Sequence, residues 1–270
     1  MKLFENKENK PLVKLFADTA NIAEIESILK KGIVEGITTN PTLLSKEPKT
    51  EFKVHIKKII ALIRKYQILC SAPIHLSVEV FSRNPEEIIA QAYDFYDSFQ
   101  YEHLSVKVQI GWDELEAIHR LAGEGFSVNC TCCMSVMQAE LAAKAGARFV
   151  SIFYHRITQG GLETKYNDIR GKLLHGEKTK AFEEIDFDPA YVIQETRKRI
   201  QIYPDTEIIA GSLHNPLEVE YAKKSGAHIC TVSPDVMRAM VYHFKSEEKI
   251  QEFFSDFCKW TEPENQEQIE

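Results

Sequence analysis

Short runs of β-branched and other apolar residues alternate with longer stretches whose apolar positions recur every three or four residues, and this alternation repeats eight times. A run of period two is a strand, spacing near three and four is a helix with one covered face, and regular alternation of the two makes a parallel sheet with helical crossovers. The predicted strands are Val13–Asp18, Ile33–Thr39, Ile74–Val80, His103–Ile110, Phe126–Thr131, Ala147–Phe153, Glu207–Ser212 and His228–Val232. Helical spacing is plain in Ile22, Ile25, Ile28 and Leu29, and in Ile118, Leu121 and Ala122. Asn21 is placed to cap one helix, and Asn84 with Pro85, Glu86 and Glu87 supplies a cap, a first-turn proline and dipole-matching carboxylates for another. Eight such units in 270 residues fit the α/β class as a single (β/α)8 TIM barrel better than an open doubly wound sheet.

Residues 1–260 are therefore expected to form one barrel domain, with a C-terminal helix at Ser246–Trp260 and a polar, disordered tail from 261 to 270. The helix carries Ile250, Phe253, Phe254 and Phe257 as a stripe that must cover something, either its own barrel or a neighbouring chain. Between the sixth and seventh strands, Gly160–Asp188 holds four glycines and a mixed-charge run, too long for an ordinary connection. Such an insertion is a lid over a site or an inert surface excursion.

Net charge narrows the partners. With 33 Lys and Arg against 40 Asp and Glu, the chain carries a formal −7, which excludes a general grip on nucleic acid but leaves room for a small local anion site. No segment has the apolar run of a membrane span or a signal peptide, so a cytoplasmic protein is expected. Of six cysteines, Cys130, Cys132 and Cys133 cluster, but without a second ligand pair they read as small buried thiols and not as a metal site. No metal is expected.

Strand parity selects the chemistry. In the fourth strand Leu104, Val106, Val108 and Ile110 should face the helices, which turns His103, Ser105, Lys107 and Gln109 inward. A lone inward lysine is ordinarily ion-paired or snorkelling to water. Burial, however, favours the neutral amine, which is the nucleophilic form. The third strand, His75-Leu76-Ser77-Val78-Glu79, has the same pattern with Glu79 beside Lys107, so the two either form a quenching ion pair or are held to relay protons through water. Asp18, Asn40, Asn129, Thr131, Ser151 and Ser212 reach the same carboxyl-terminal rim, and Thr38 leads into Asn40. Any one of these polar residues would be a cap or a turn by default. Eight of them converging from seven strands, at the rim where barrel enzymes carry their chemistry, mark an active site.

These residues are also where the chain resembles the transaldolase family. FADTANIAEIESILKKGIVEGITTNPTLLSKE is similar to its amino-terminal signature, LSVEV to its third strand, and SVKV to the strand bearing its Schiff-base lysine. NCT, QAELAAKAGARFVS and GSLHNPLEVEYAKKSGAHICTVSPDVM resemble the second half of the barrel. The resemblance implies class I aldol chemistry without a cofactor. Lys107 would form the Schiff base with a sugar or sugar phosphate, Glu79 and Thr131 would move protons through a water, and Asp18 would act on the C4 hydroxyl. Thr38, Asn40, Asn129, Ser151, Phe153, Arg156, Ser212 and His214 would bind substrate. Glu79 and Phe153 resemble the transferase branch more than the fructose-6-phosphate aldolase branch, where glutamine and tyrosine stand. Small relatives that assemble into rings imply a homo-oligomer.

The resemblance has breaks. Arg156 and Ser212 match the family's phosphate-binding residues, but His214 replaces a second arginine and His155 replaces the preceding glycine. Thr158 and Gln159 stand where acidic residues are usual, and Gln109 where proline is. A neutral imidazole offers one donor and no charge in place of a rigid guanidinium fork, so an altered substrate tail is expected. A lyase that releases dihydroxyacetone and a lapsed, sugar-binding barrel are the competing readings.

Overall fold

Parallel strands β1 (Lys14–Asp18), β2 (Gly36–Thr38), β3 (His75–Glu79), β4 (Leu104–Gln109), β5 (Val128–Cys133), β6 (Phe149–Phe153), β7 (Glu207–Leu213) and β8 (Ile229–Val232) pair in chain order and close on themselves, β8 returning to β1. Helices α1 (Ile22–Leu29), α2 (Pro41–Leu44), α3 (Phe52–Tyr66), α4 (Pro85–Phe99), α5 (Glu114–Gly123), α6 (Val136–Lys144), α7 (Tyr154–Asn167), α8 (Pro189–Arg199), α9 (Pro216–Lys224) and α10 (Pro234–Val241) occupy the crossovers and follow the last strand. A final helix, α11, spans Phe244–Thr261. This computed structural model describes residues 13–70, 72–167 and 187–261. The chain is a (β/α)8 TIM barrel.

Parity explains the layers. Leu76, Val78, Leu104, Val106 and Val108 turn outward and are buried with Ile56, Ile59 and Ile63 of α3 and Ile88 and Ala92 of α4. Each fully buried Ile or Leu stabilises the fold by roughly 1.5–3 kcal/mol. Inside the barrel, near its amino-terminal end, Phe16, Phe149, Ile209 and Ile229 form a separate apolar cluster. The His75 ring lies 5.8 Å from Phe16 and 4.7 Å from Phe149. Gly36 is where β2 makes room for this cluster, since a Cβ there would lie 2.6 Å from the Phe16 ring.

The predicted caps are present. Asn21 Oδ1 accepts from the Glu24 amide at 3.0 Å, and Asn84 Oδ1 from the amides of Glu86 and Glu87 at 3.0 and 3.2 Å. Most strands are shorter than periodicity suggests, whereas β5 and β7 run past their predicted ends to Cys133 and Leu213. The second strand begins at Gly36, not Ile33, and Ile33 is exposed.

The stretch predicted as an insertion begins differently. Gly160 and Gly161 lie inside α7, because the helix continues from the end of β6, and Phe187 packs so closely that a Cβ on Gly161 would sit 2.7 Å from it. The remainder of that stretch, 168–186, lies outside the described residues, as does the predicted tail beyond Thr261. The aromatic stripe predicted for the last helix is present, and residues 241–261 are all exposed.

Candidate active site

Register carries the polar side chains to one end. Asp18 pairs with Thr38 across β1 and β2, Thr38 with Ser77, Glu79 with Lys107, and Lys107 with Asn129. A cavity of about 800 Å³ opens there. Its floor and walls include Asp18, Thr38, Asn40, Glu79, Lys107, Thr131, Ser151, Phe153, Arg156, Ser212 and His214.

Lys107 stands at the floor with only 5% of its surface exposed. Its Nζ donates to the Thr39 carbonyl at 2.9 Å and lies 3.0 Å from Glu79 Oε2. Here the sequence left two outcomes open. Lysine and glutamate are in direct contact, yet the cavity above them is large enough for a sugar. Thr131 Oγ1, from the next strand, is buried and finds no hydrogen-bond partner among the described residues.

Asp18 completes a second chain. Thr38 Oγ1 donates to Asp18 Oδ1 at 2.7 Å, so its remaining contact, 2.7 Å to Thr231 Oγ1, must be accepted from Thr231. Burial pushes the Asp18 carboxyl above the usual carboxylate range. The charge of Lys107 and the Thr38 bond pull it back in part, and Glu79 adds to the rise. A carboxyl displaced in this direction holds a proton more readily than a free aspartate, as a group that takes a proton and later returns it must.

Asn129 has a different place from the other predicted contacts. It lies below the cavity lining, where its Nδ2 donates to Ser77 Oγ at 3.1 Å and its Oδ1 accepts from Ser151 Oγ at 2.7 Å. It therefore orients Ser151, which does reach the cavity. Asn40 Oδ1 accepts from the Leu43 amide at 3.0 Å and caps α2. Its other side-chain atoms remain at the rim.

Two bulges break strand parity, and one of them supplies a wall residue, Cys132, that periodicity missed. Register slips between Cys130 and Cys133 against β6, and between Ala210 and Leu213 against β8. Cys132 and Ser212 take left-handed backbone angles there, φ 63° and 54°. A bulge re-aims a side chain, and each of these turns its residue into the cavity wall. Burial and the neighbouring Glu79 push the Cys132 thiol up, against the pull of Lys107. Cys130 and Cys133, their sulfurs 3.9 Å apart, are fully buried in the outer core. Thr231, Ser233 and Asp235 also line the cavity without having stood out in the sequence. Among the described residues, no group of three or more His, Cys, Asp or Glu side chains is placed to hold a metal ion.

Residues 15–269 match the family model described as Transaldolase/Fructose-6-phosphate aldolase. The chain belongs to this family. Among curated transaldolase/fructose-6-phosphate aldolase relatives, a "Probable transaldolase" of Caldicellulosiruptor saccharolyticus is 34% identical over 252 residues, covering 92% of this chain and 98% of the relative. A "Probable transaldolase" of Dehalococcoides mccartyi is 32% identical over 245 residues, covering 91% and 98%. Among solved structures, a thiamine phosphate pyrophosphorylase from Pyrococcus furiosus superposes with a TM-score of 0.52 at 15% identity, over 87% of this chain and 94% of that one. That likeness concerns the barrel alone. Transaldolase-family membership makes the chain an enzyme of the transaldolase/aldolase kind, and no helix among the described residues is long and apolar enough to cross a membrane.

Proposed function

We propose that the chain is a transaldolase-like transferase that moves a dihydroxyacetone unit from a ketose donor to an aldose acceptor through a Schiff base on Lys107. The observation that carries this reading is a buried lysine at the foot of a polar cavity, touching one carboxylate and faced by a second whose proton affinity is raised. In the proposed cycle Lys107 sheds a proton toward Glu79, attacks the donor C2 carbonyl, and loses water to give the iminium. Thr131, which lines the same cavity and whose hydroxyl has no hydrogen-bond partner among the described residues, would hold the water that carries protons in and out. Asp18 takes the proton of the C4 hydroxyl, the C3–C4 bond breaks, and its electrons pass into the iminium to leave an enamine and a free aldehyde. An acceptor aldehyde then reverses the sequence: the enamine carbon attacks it, Asp18 returns the proton, and water releases the new ketose. No group beyond these side chains is required.

Borohydride added with a ketose donor should fix the sugar carbon skeleton to Lys107 as a mass increase on that residue. Lys107→Ala should lose both the adduct and at least about a thousandfold in turnover. A wild-type enzyme that shows no adduct with any ketose would remove the proposal. The lyase reading is favoured if free dihydroxyacetone accumulates without an acceptor. We also propose that the exposed apolar face of α11 is covered by a second copy of the chain, making the enzyme a homo-oligomer.

A further inference from the structure

Thr231 holds the far end of the hydroxyl chain that reaches Asp18. On β8 it lies opposite Phe16 of β1, while Asp18 lies opposite Thr38 of β2. Strand parity therefore sets Thr231 and Thr38 on either side of the inward face of β1. Both side chains are buried, yet both reach the lining of the cavity. Their oxygens lie 2.7 Å apart, and Thr38 Oγ1 lies 2.7 Å from Asp18 Oδ1.

Packing fixes how Thr231 is turned. A Cβ on Gly211 of β7 would lie 3.4 Å from Thr231 Cγ2, so the methyl takes the β7 side and the hydroxyl is left for β2. A β-branched side chain is stiff about its first torsion, and placing the methyl places the hydroxyl. Direction follows from proton count. A hydroxyl has one proton, an ionised Asp18 takes the one on Thr38, and Thr231 must give its own to Thr38. Linked hydrogen bonds polarise one another, so Thr231 strengthens the bond to a carboxylate that it does not touch.

The chain acts against the surroundings of Asp18. Burial favours the neutral carboxyl and Glu79 of β3 adds to this, while Lys107 of β4 and then the Thr38 bond oppose it. Glu24 of α1 is engaged by the Thr19 hydroxyl at 3.0 Å. The other titratable or charged groups of the cavity are Cys132 of β5, Arg156 of α7, His214 after β7, and Asp235 of α10 with its partner Arg238. All of these stay in place when Thr231 is changed.

We propose that Thr231 is a positioning residue for C3–C4 cleavage, holding Asp18 through Thr38 so that one carboxylate oxygen is anchored and the other is left to take the C4 hydroxyl proton. The inference rests on the proposed Schiff-base reading, in which Asp18 acts on that hydroxyl. The proton passes from the C4 oxygen to Asp18 and the C3–C4 electrons pass to the iminium, while Thr231 and Thr38 keep their own protons.

Fructose 6-phosphate with enzyme in excess, quenched by borohydride at successive times, tests this. Mass spectrometry of the Lys107 peptide separates the uncleaved hexose adduct from the three-carbon remnant left after cleavage. Thr231→Val keeps the branching and removes the hydroxyl. It should form the hexose adduct at the wild-type rate. On the acid limb its conversion to the remnant should be about three- to tenfold slower, equivalent to a midpoint raised by about half to one pH unit. Thr231→Ser should restore both rate and midpoint. Wild-type conversion and midpoint in Thr231→Val would overturn the inference, as would a Thr231→Ser as slow as Thr231→Val, since the methyl and not the hydroxyl would then matter. Equal slowing of adduct formation and cleavage would overturn it too, by showing general damage to the site. A wild-type enzyme that traps normally beside an unaffected Thr231→Val removes only the role of Thr231, whereas a wild-type enzyme that traps no ketose removes the Schiff-base reading and this inference with it.

Discussion

Lys107 is buried and Asp18 half-buried, and their surroundings differ in a way that divides the proposed labour. Lys107 has Glu79 at 3.0 Å and a backbone carbonyl at 2.9 Å, so proton exchange around it is short-range. Asp18 is reached through a hydroxyl chain and is displaced toward its neutral form. The two steps should therefore be separable by substitution. Asp18→Asn should still form the borohydride adduct on Lys107, while turnover falls by about 10²–10³ because the C4 proton has no acceptor. Mass spectrometry beside a steady-state assay reads both, and loss of the adduct in Asp18→Asn would contradict the assignment. Glu79→Gln should do the reverse, slowing adduct formation in a single-turnover trap. Lys107 and Glu79 were legible in the sequence because strand parity is local and regular. The direct contact between them was not, since side-chain distance depends on how far each strand is offset from its neighbour.

Among the elements, β2 and the two bulged strands carry the most information about how the barrel closes. β2 contributes three residues, and its first, Gly36, faces the Phe16 ring. Gly36→Ala places a methyl against an aromatic ring that is itself wedged among Phe149, Ile209 and Ile229, and it should cost about 1–3 kcal/mol. A lower urea midpoint at unchanged slope would show this, and an unchanged midpoint would mean that Phe16 moves freely. The bulges explain where sequence reading stopped. Cys132 follows inward Thr131 and should have faced the helices, yet the slipped register against β6 turns it into the cavity and sends Cys133 to the core. Such a slip is a long-range pairing choice, and an alternation pattern carries no record of it.

The whole molecule adds a pH limit of its own. His75 is packed between Phe16 and Phe149 inside the barrel, its Nε2 buried without a partner among the described residues, and burial pushes its pKa down to about 3. His228 is lowered to about 4, again mainly by burial. In the unfolded chain both imidazoles regain the ordinary value of 6.5. Between that value and the folded ones the unfolded state binds more protons. The stability these two neutral rings contribute is therefore complete above about pH 6.5 and is lost as pH falls toward 4 and then 3, a few kcal/mol for each ring. His75→Phe should keep the ring packing and flatten the acid limb of a thermal-denaturation profile. An acid limb identical to wild type would show that other groups govern it. At the same scale, α11 presents Phe253, Phe254, Phe257 and Trp260 to solvent. Removal of residues 244–270 should convert the proposed homo-oligomer to monomers in sedimentation analysis, and a full-length chain that already sediments as a monomer would refute it.

Period and parity, which need only neighbouring residues, were sufficient to determine eight strands, one barrel and the rim at which Lys107, Glu79 and Asp18 gather. The tertiary structure decided what lies between elements far apart in the chain. It set the lysine–glutamate contact, the Cys132 and Ser212 bulges, the place of Asn129 beneath the cavity, and the stacking of His155 on His214. Strand alternation is a property of the local backbone, whereas these contacts arise from closing the sheet, which sets the offset and twist between strands that no short window of residues contains.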